Sequence, residues 1–154
     1  MATTPVDLYR SLNRADWPSG ALNTVDNQPF NGVLYPAFVD KPYVDKAGKP
    51  QVKDADVTVV VVDGESRIDK GGTSLFDALD VFKPPAWFSF KIPIGTEIPP
   101  NLKVVKGDFN KRFKATHYQI EALTGGTINI TTMQGALDNF ARAALVKSLA
   151  AANL

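Results

Sequence analysis

Apolar and polar residues alternate most clearly in two stretches. Over Trp87–Ile92 the residues Phe88, Phe90 and Ile92 fall on one side and Trp87, Ser89 and Lys91 on the other, which predicts a half-buried strand. Over Phe113–Glu121 the same period puts His117 on one face with Phe113, Ala115 and Gln119. Asp56–Asp63 is different: its unbroken valines predict a central strand buried on both faces. Val6–Arg10, Lys103–Lys106 and Thr127–Ile130 read as shorter strands. The period changes near the end of the chain. Met133, Leu137, Phe140, Ala144 and Leu145 make a stripe at helical spacing and predict a helix over Met133–Ala151. Thr131 and Gln134 fit a capping box at its start, and Lys147 suits the negative end of its dipole.

Breakers separate these elements. Ser11–Lys53 holds prolines at 18, 29, 36, 42 and 50 and glycines at 20, 32 and 48, so it reads as loops with short elements such as Val33–Tyr35. Gly64-Glu65-Ser66, Pro93-Ile94-Gly95-Thr96, Pro99-Pro100 and Leu123-Thr124-Gly125-Gly126 read as turns. The sum is one β-rich domain of α+β type over residues 1–154.

Composition narrows the chemistry. The chain has no cysteine, which excludes thiol catalysis, disulfides and thiolate-bound zinc. One histidine argues against a zinc site, and no metal is expected. A net charge of +1 supplies no global attraction for nucleic acid or anionic membrane. The longest apolar run, Val57–Val62, has the length of a strand and not of a membrane span. The start of the chain has no signal-peptide pattern, so a cytoplasmic site of action is expected.

Three local patterns carry candidate chemistry. Gly71-Gly72-Thr73-Ser74 combines two permissive glycines with two hydroxyls; the plain alternative is a helix start with Thr73 or Ser74 as the cap of a short helix through Leu79. It lacks the lysine and spacing of a phosphate-binding loop, and no serine nucleophile elbow occurs. Lys106, Lys111, Arg112 and Lys114 form a basic cluster with Phe109 and Phe113. Its plain reading is a solvated face, and nucleic acid is not the expected partner. His117 is either a satisfied core histidine or a functional group.

Four blocks, in order, carry a resemblance: Leu8-Tyr9-Arg10, Gly71–Asp77, Ile92–Ile120, and Leu137-Asp138-Asn139-Phe140-Ala141-Arg142. The most specific part is IPxGTxIPxxLxV followed by NKRxxATHYxI. Together they resemble the type VI secretion effector toxin family with an ADP-ribosyltransferase-like fold. The likeness covers the second half of the chain well and the first half only at Leu8–Arg10; Ser11–Lys70 departs from it. It implies two small facing antiparallel sheets around a cleft for NAD, with a C-terminal helix. It implies Thr73, Ser74 and His117 as catalytic residues, and Arg10, Tyr9 and Gly72 as residues binding NAD, the substrate. It also implies a toxin that transfers ADP-ribose to a target or hydrolyses NAD, and an immunity protein as partner. One departure stands out. The glutamate of the arginine–serine–glutamate class is replaced by Ser89 in Trp87-Phe88-Ser89-Phe90. That leaves a catalytically silent relative, binding a nucleotide or a protein, as the alternative reading. A weaker third reading is an RNA-acting enzyme that uses His117 with the basic cluster.

Overall fold

The computed structural model describes residues 2–13, 31–123 and 128–152. In chain order the elements are β1 (Leu8–Asn13), β2 (Lys41–Val44), β3 (Pro50–Lys53), β4 (Val57–Val62), β5 (Glu65–Gly71), β6 (Thr73–Phe76), β7 (Trp87–Ile92), β8 (Leu102–Asn110), β9 (Ala115–Ala122), β10 (Ile128–Asn129) and α1 (Ile130–Ala152). Among the described residues every strand pairing is antiparallel. A five-stranded sheet runs β7-β1-β6-β9-β8, a three-stranded sheet runs β10-β5-β4, and β2 pairs with β3 alone. The class is α+β, mostly antiparallel sheet with one C-terminal helix.

Alternation along the strands gives the five-stranded sheet an apolar face. Leu8, Leu75, Phe90, Ile92, Tyr118 and Ile120 are buried there, in one cluster with Met133, Leu137, Phe140, Ala141 and Ala144 of α1. The helical stripe and the strand pattern therefore meet in a single core. Each fully buried large side chain contributes about 1.5–3 kcal/mol.

Several expectations are corrected. The valine strand is not central. β4 lies at the edge of its three-stranded sheet with β5 as its neighbour, and Val61 is 71% exposed while only Val57 is buried. β-branched residues favour an extended backbone whether or not it is covered, so a valine run signals strand more firmly than burial. Thr73–Phe76 is a strand and not a helix start. The helix cap is Asn129, whose Oδ1 accepts the Thr132 amide at 3.1 Å; Thr131 already lies inside α1, so the capping box is not formed. The last turn of α1 holds no basic residue, because the helix continues past Lys147 to Ala152. β1 begins and ends later than Val6–Arg10 because Leu12, paired with Phe88, joins the core. Within the segment read as loops, β2 and β3 form a hairpin, and Val33 and Leu34 are buried beside a turn. β8 extends to Asn110 through an irregularity between Lys106 and Phe109. Prolines 18 and 29, and the turn at 124–126, lie outside the described residues.

Two local devices fasten the sheet. Gly71 has φ 93°, and a Cβ on it would collide with the Asp56 carbonyl oxygen; a Cβ on Gly72 would collide with that of Ile120. The double glycine is thus the crossing point that lets β5 hand the chain to β6 against β9. Further along, Asp138 of α1 accepts hydrogen bonds from the Gly32 amide at 2.8 Å and the Tyr35 hydroxyl at 2.7 Å. Burial, and then Asp138, push the Tyr35 phenol up to about 12.

Gly72→Ala is expected to lower stability by about 2 kcal/mol or more, through a backbone collision that no rotamer relieves; urea unfolding measures it. For Tyr35 the folded pKa is raised. Its contribution is therefore complete below pH 10 and lost as pH rises toward 12. Tyr35→Phe should remove that alkaline decline in melting temperature.

Candidate active site

The pairing of β6 with β9 decides which side chains meet. Its register sets Phe76 opposite His117 and Ser74 opposite Gln119. Ser74 and His117 are therefore diagonal neighbours on one face, close enough for their side chains to touch. The Ser74 Oγ lies 2.6 Å from His117 Nε2. Phe76 packs edge-on to the imidazole at 5.3 Å. Gly107 faces the other side of the ring, where a Cβ would crowd Nδ1 at 3.2 Å. Burial lowers the His117 pKa from its ordinary 6.5, and Asp108 opposes that shift. A neutral ring with a free Nε2 lone pair accepts the serine hydroxyl, and the pair can carry a proton between Ser74 and imidazole.

Arg10 approaches the backbone of the same serine from the opposite face of the sheet, where it stands opposite Phe90 between the buried Leu8 and Leu12. β1 shares six register pairs with β7 but one, Tyr9 with Phe76, with β6. The two strands part beyond that pair. Arg10 spans the opening: its guanidinium donates to the Ser74 carbonyl at 3.1 Å and to the Tyr35 carbonyl at 3.2 Å. Burial lowers its pKa, and Asp56 acts against the shift. The buried Nε has no partner among the described residues. A cavity of about 290 Å³ adjoins it, lined by Arg10, Ser11, Asn13, Tyr35, Asp56 and Trp87 among others.

The other anticipated residues are placed as follows. Tyr9 stands opposite Phe76 and so shares the face of Ser74 and His117. Thr73 points the other way. It is fully buried and donates to the Leu34 carbonyl at 2.5 Å, so the two hydroxyls do not converge on one groove. Gly72 lies against the backbone of Ile120. Ser89, at the position where the resemblance leads one to look for an acid, accepts the Asp80 amide and donates to the Asp80 carboxylate, each at 3.2 Å. Asp80 brings a carboxylate to that position from outside the strand. Sequence reasoning passed over Asp80, Gly107 and the Asp138–Tyr35 clamp. The visible signal for the last was an aspartate next to Leu137 on the apolar stripe. Among the described residues no group of three or more acidic or imidazole side chains could hold a metal ion, and no helix is long and apolar enough to cross a membrane.

The sequence profile of the Tse2 ADP-ribosyltransferase toxin family matches residues 5–148. The chain belongs to that family. The match runs through Ser11–Lys70, so the expected departure of that segment from the family is corrected. Toxin Tse2 of Pseudomonas aeruginosa is 45% identical over 83 residues, which are 54% of this chain and 51% of that protein. The chain thus spans about half the length of this curated relative.

Because the folded pKa of His117 is depressed, protonation favours the unfolded chain. The stability tied to the neutral ring is present above pH 6.5 and lost as pH falls through the folded value. Calorimetry from pH 7.5 to 5 should show a falling melting temperature, and His117→Asn should make that slope shallower.

Proposed function

We propose that this protein is a toxin that consumes NAD, lying across the fork between β1 and β6. The observation that carries this reading is the Ser74–His117 hydrogen bond of 2.6 Å, on a serine whose carbonyl accepts from the Arg10 guanidinium on the other face of the sheet, in a chain of this family. Arg10 would hold the diphosphate. Its charge, at the wall of a cavity, suits an anionic oxygen. The adjoining cavity is at the lower end of the usual range for ligand sites, about 300–1,000 Å³, and would take part of the dinucleotide. Ser74 and His117 would face the nicotinamide ribose, with Tyr9 beside them. Thr73 and Gly72 support the site from behind, by fixing β6 to the 32–35 turn and to β9.

The reaction breaks the bond from ribose C1′ to the nicotinamide nitrogen. Its electrons leave with neutral nicotinamide, and an acceptor atom of a target, or water, forms the new bond to C1′. The acceptor's proton passes to Nε2 of His117, directly or through Ser74. A cytoplasmic site of action and a neutralising immunity partner go with this reading.

A second reading, a silent relative that binds a nucleotide without turnover, is favoured by Ser89 standing where the glutamate is expected and bonding to Asp80. Nicotinamide release from NAD separates the two. Under the first reading it occurs in the wild type and falls by about 100-fold or more in Ser74→Ala and His117→Ala. Binding of NAD without any release, under all conditions and with lysate proteins added as acceptors, would establish the second.

A further inference from the structure

The loop from β6 to β7 and the turn from β8 to β9 enclose another cavity, of about 520 Å³. Its lining includes Asp80, Phe82, Lys83, Arg112, Phe113 and Lys114. None of these belongs to the Ser74–His117 pair. The walls are tied down on three sides. Asp77 accepts the Thr116 amide at 2.7 Å, and its own amide donates to the Thr116 carbonyl at 3.2 Å, fixing the start of the loop to β9. The Asp80–Ser89 bonds fix the middle of the loop to β7. Asn110 Oδ1 accepts the Phe113 amide at 3.0 Å, and Lys114 closes the turn with φ 52°.

The lining has a definite chemistry. Three cations face one carboxylate, and that carboxylate already accepts from Ser89. Phe82 meets Phe113 edge-on at 5.3 Å and leans on Trp87 at 5.0 Å, while the Arg112 guanidinium lies 5.6 Å from the Phe113 ring centre. Phe82 keeps 37% of its surface exposed. A purely apolar ligand would leave the cations unmatched, and a bare anion would leave the rings unused. A planar ring joined to a phosphate uses both, by stacking and by charge-assisted hydrogen bonds. The cavity is also joined to the reactive pair: Phe113 touches Phe76 at 5.4 Å, and Phe76 touches His117 at 5.3 Å.

We propose that this cavity binds a nucleotide phosphate, either free or at the 5′ end of a single-stranded oligonucleotide, as a ligand separate from NAD. Two ring contacts, Phe113 to Phe76 and Phe76 to His117, link its wall to the imidazole. The full chain can be titrated calorimetrically with AMP, adenosine, inorganic phosphate and a 5′-phosphorylated tetranucleotide. AMP should bind on the order of tenfold tighter than either fragment, because stacking and charge act together. Arg112→Gln and Lys83→Gln should each weaken AMP binding several-fold, with melting temperature and nicotinamide release unchanged. Ser74→Ala should leave AMP binding as in the wild type. A tetranucleotide binding tighter than AMP identifies a polymer end as the ligand, and equal affinity identifies the free nucleotide. Three results would overturn the proposal: AMP no tighter than phosphate, AMP binding untouched by both cation variants, or a higher KM for NAD in Arg112→Gln. The last would make the cavity part of the dinucleotide site. A wild type that fails to release nicotinamide bears only on the preceding reading, since AMP binding is scored independently.

Discussion

The close contact of β6 with β9 is the constraint on which the rest of the structure depends. Four register pairs join the strands, and the approach is possible only because Gly72 presents no side chain to the Ile120 carbonyl. That pairing buries Leu75 and Thr73 on one side and sets Ser74 beside His117 on the other. Core and candidate chemistry are thus two faces of one short ribbon. A shift of one residue would turn Ser74 into the core and expose Leu75, so burial of the apolar face also enforces the meeting of hydroxyl and imidazole.

Arg10 acts on the second boundary of that ribbon. Where β1 and β6 part, ladder hydrogen bonds end, and the guanidinium supplies donors to two carbonyls. An arginine used in this way is both a strut and a source of charge. The two roles are compatible because Arg10 has five donor positions and the described carbonyls occupy two of its nitrogens. Burial reduces its basicity without removing its charge.

Much of the fold was legible because it follows from local period. The strand at Trp87–Ile92, the strand carrying His117 and the final helix all come from spacing alone. The valines of β4 misled because strand preference and burial produce the same letters. The separation of Thr73 from Ser74 was also legible in principle. Adjacent residues on a strand face opposite ways, and only the choice between strand and helix start hid it. The clamp from Asp138 to Tyr35 was out of reach, since it joins residues 103 apart in sequence. The turn that opens the motif around Pro93 fastens the start of the chain. Thr4 donates to the Pro93 carbonyl at 2.7 Å and accepts the Thr96 amide at 3.0 Å, and Thr4 and Thr96 are both buried.

That knot between the first residues and the Pro93 turn has a bearing on synthesis. Thr4 leaves the ribosome long before its partners, which lie 89 and 92 positions later. β1 likewise waits for β7, and Ser74 waits for His117. Contacts of such long range close slowly and late. A nascent chain therefore carries no assembled serine–imidazole pair until most of it has been translated.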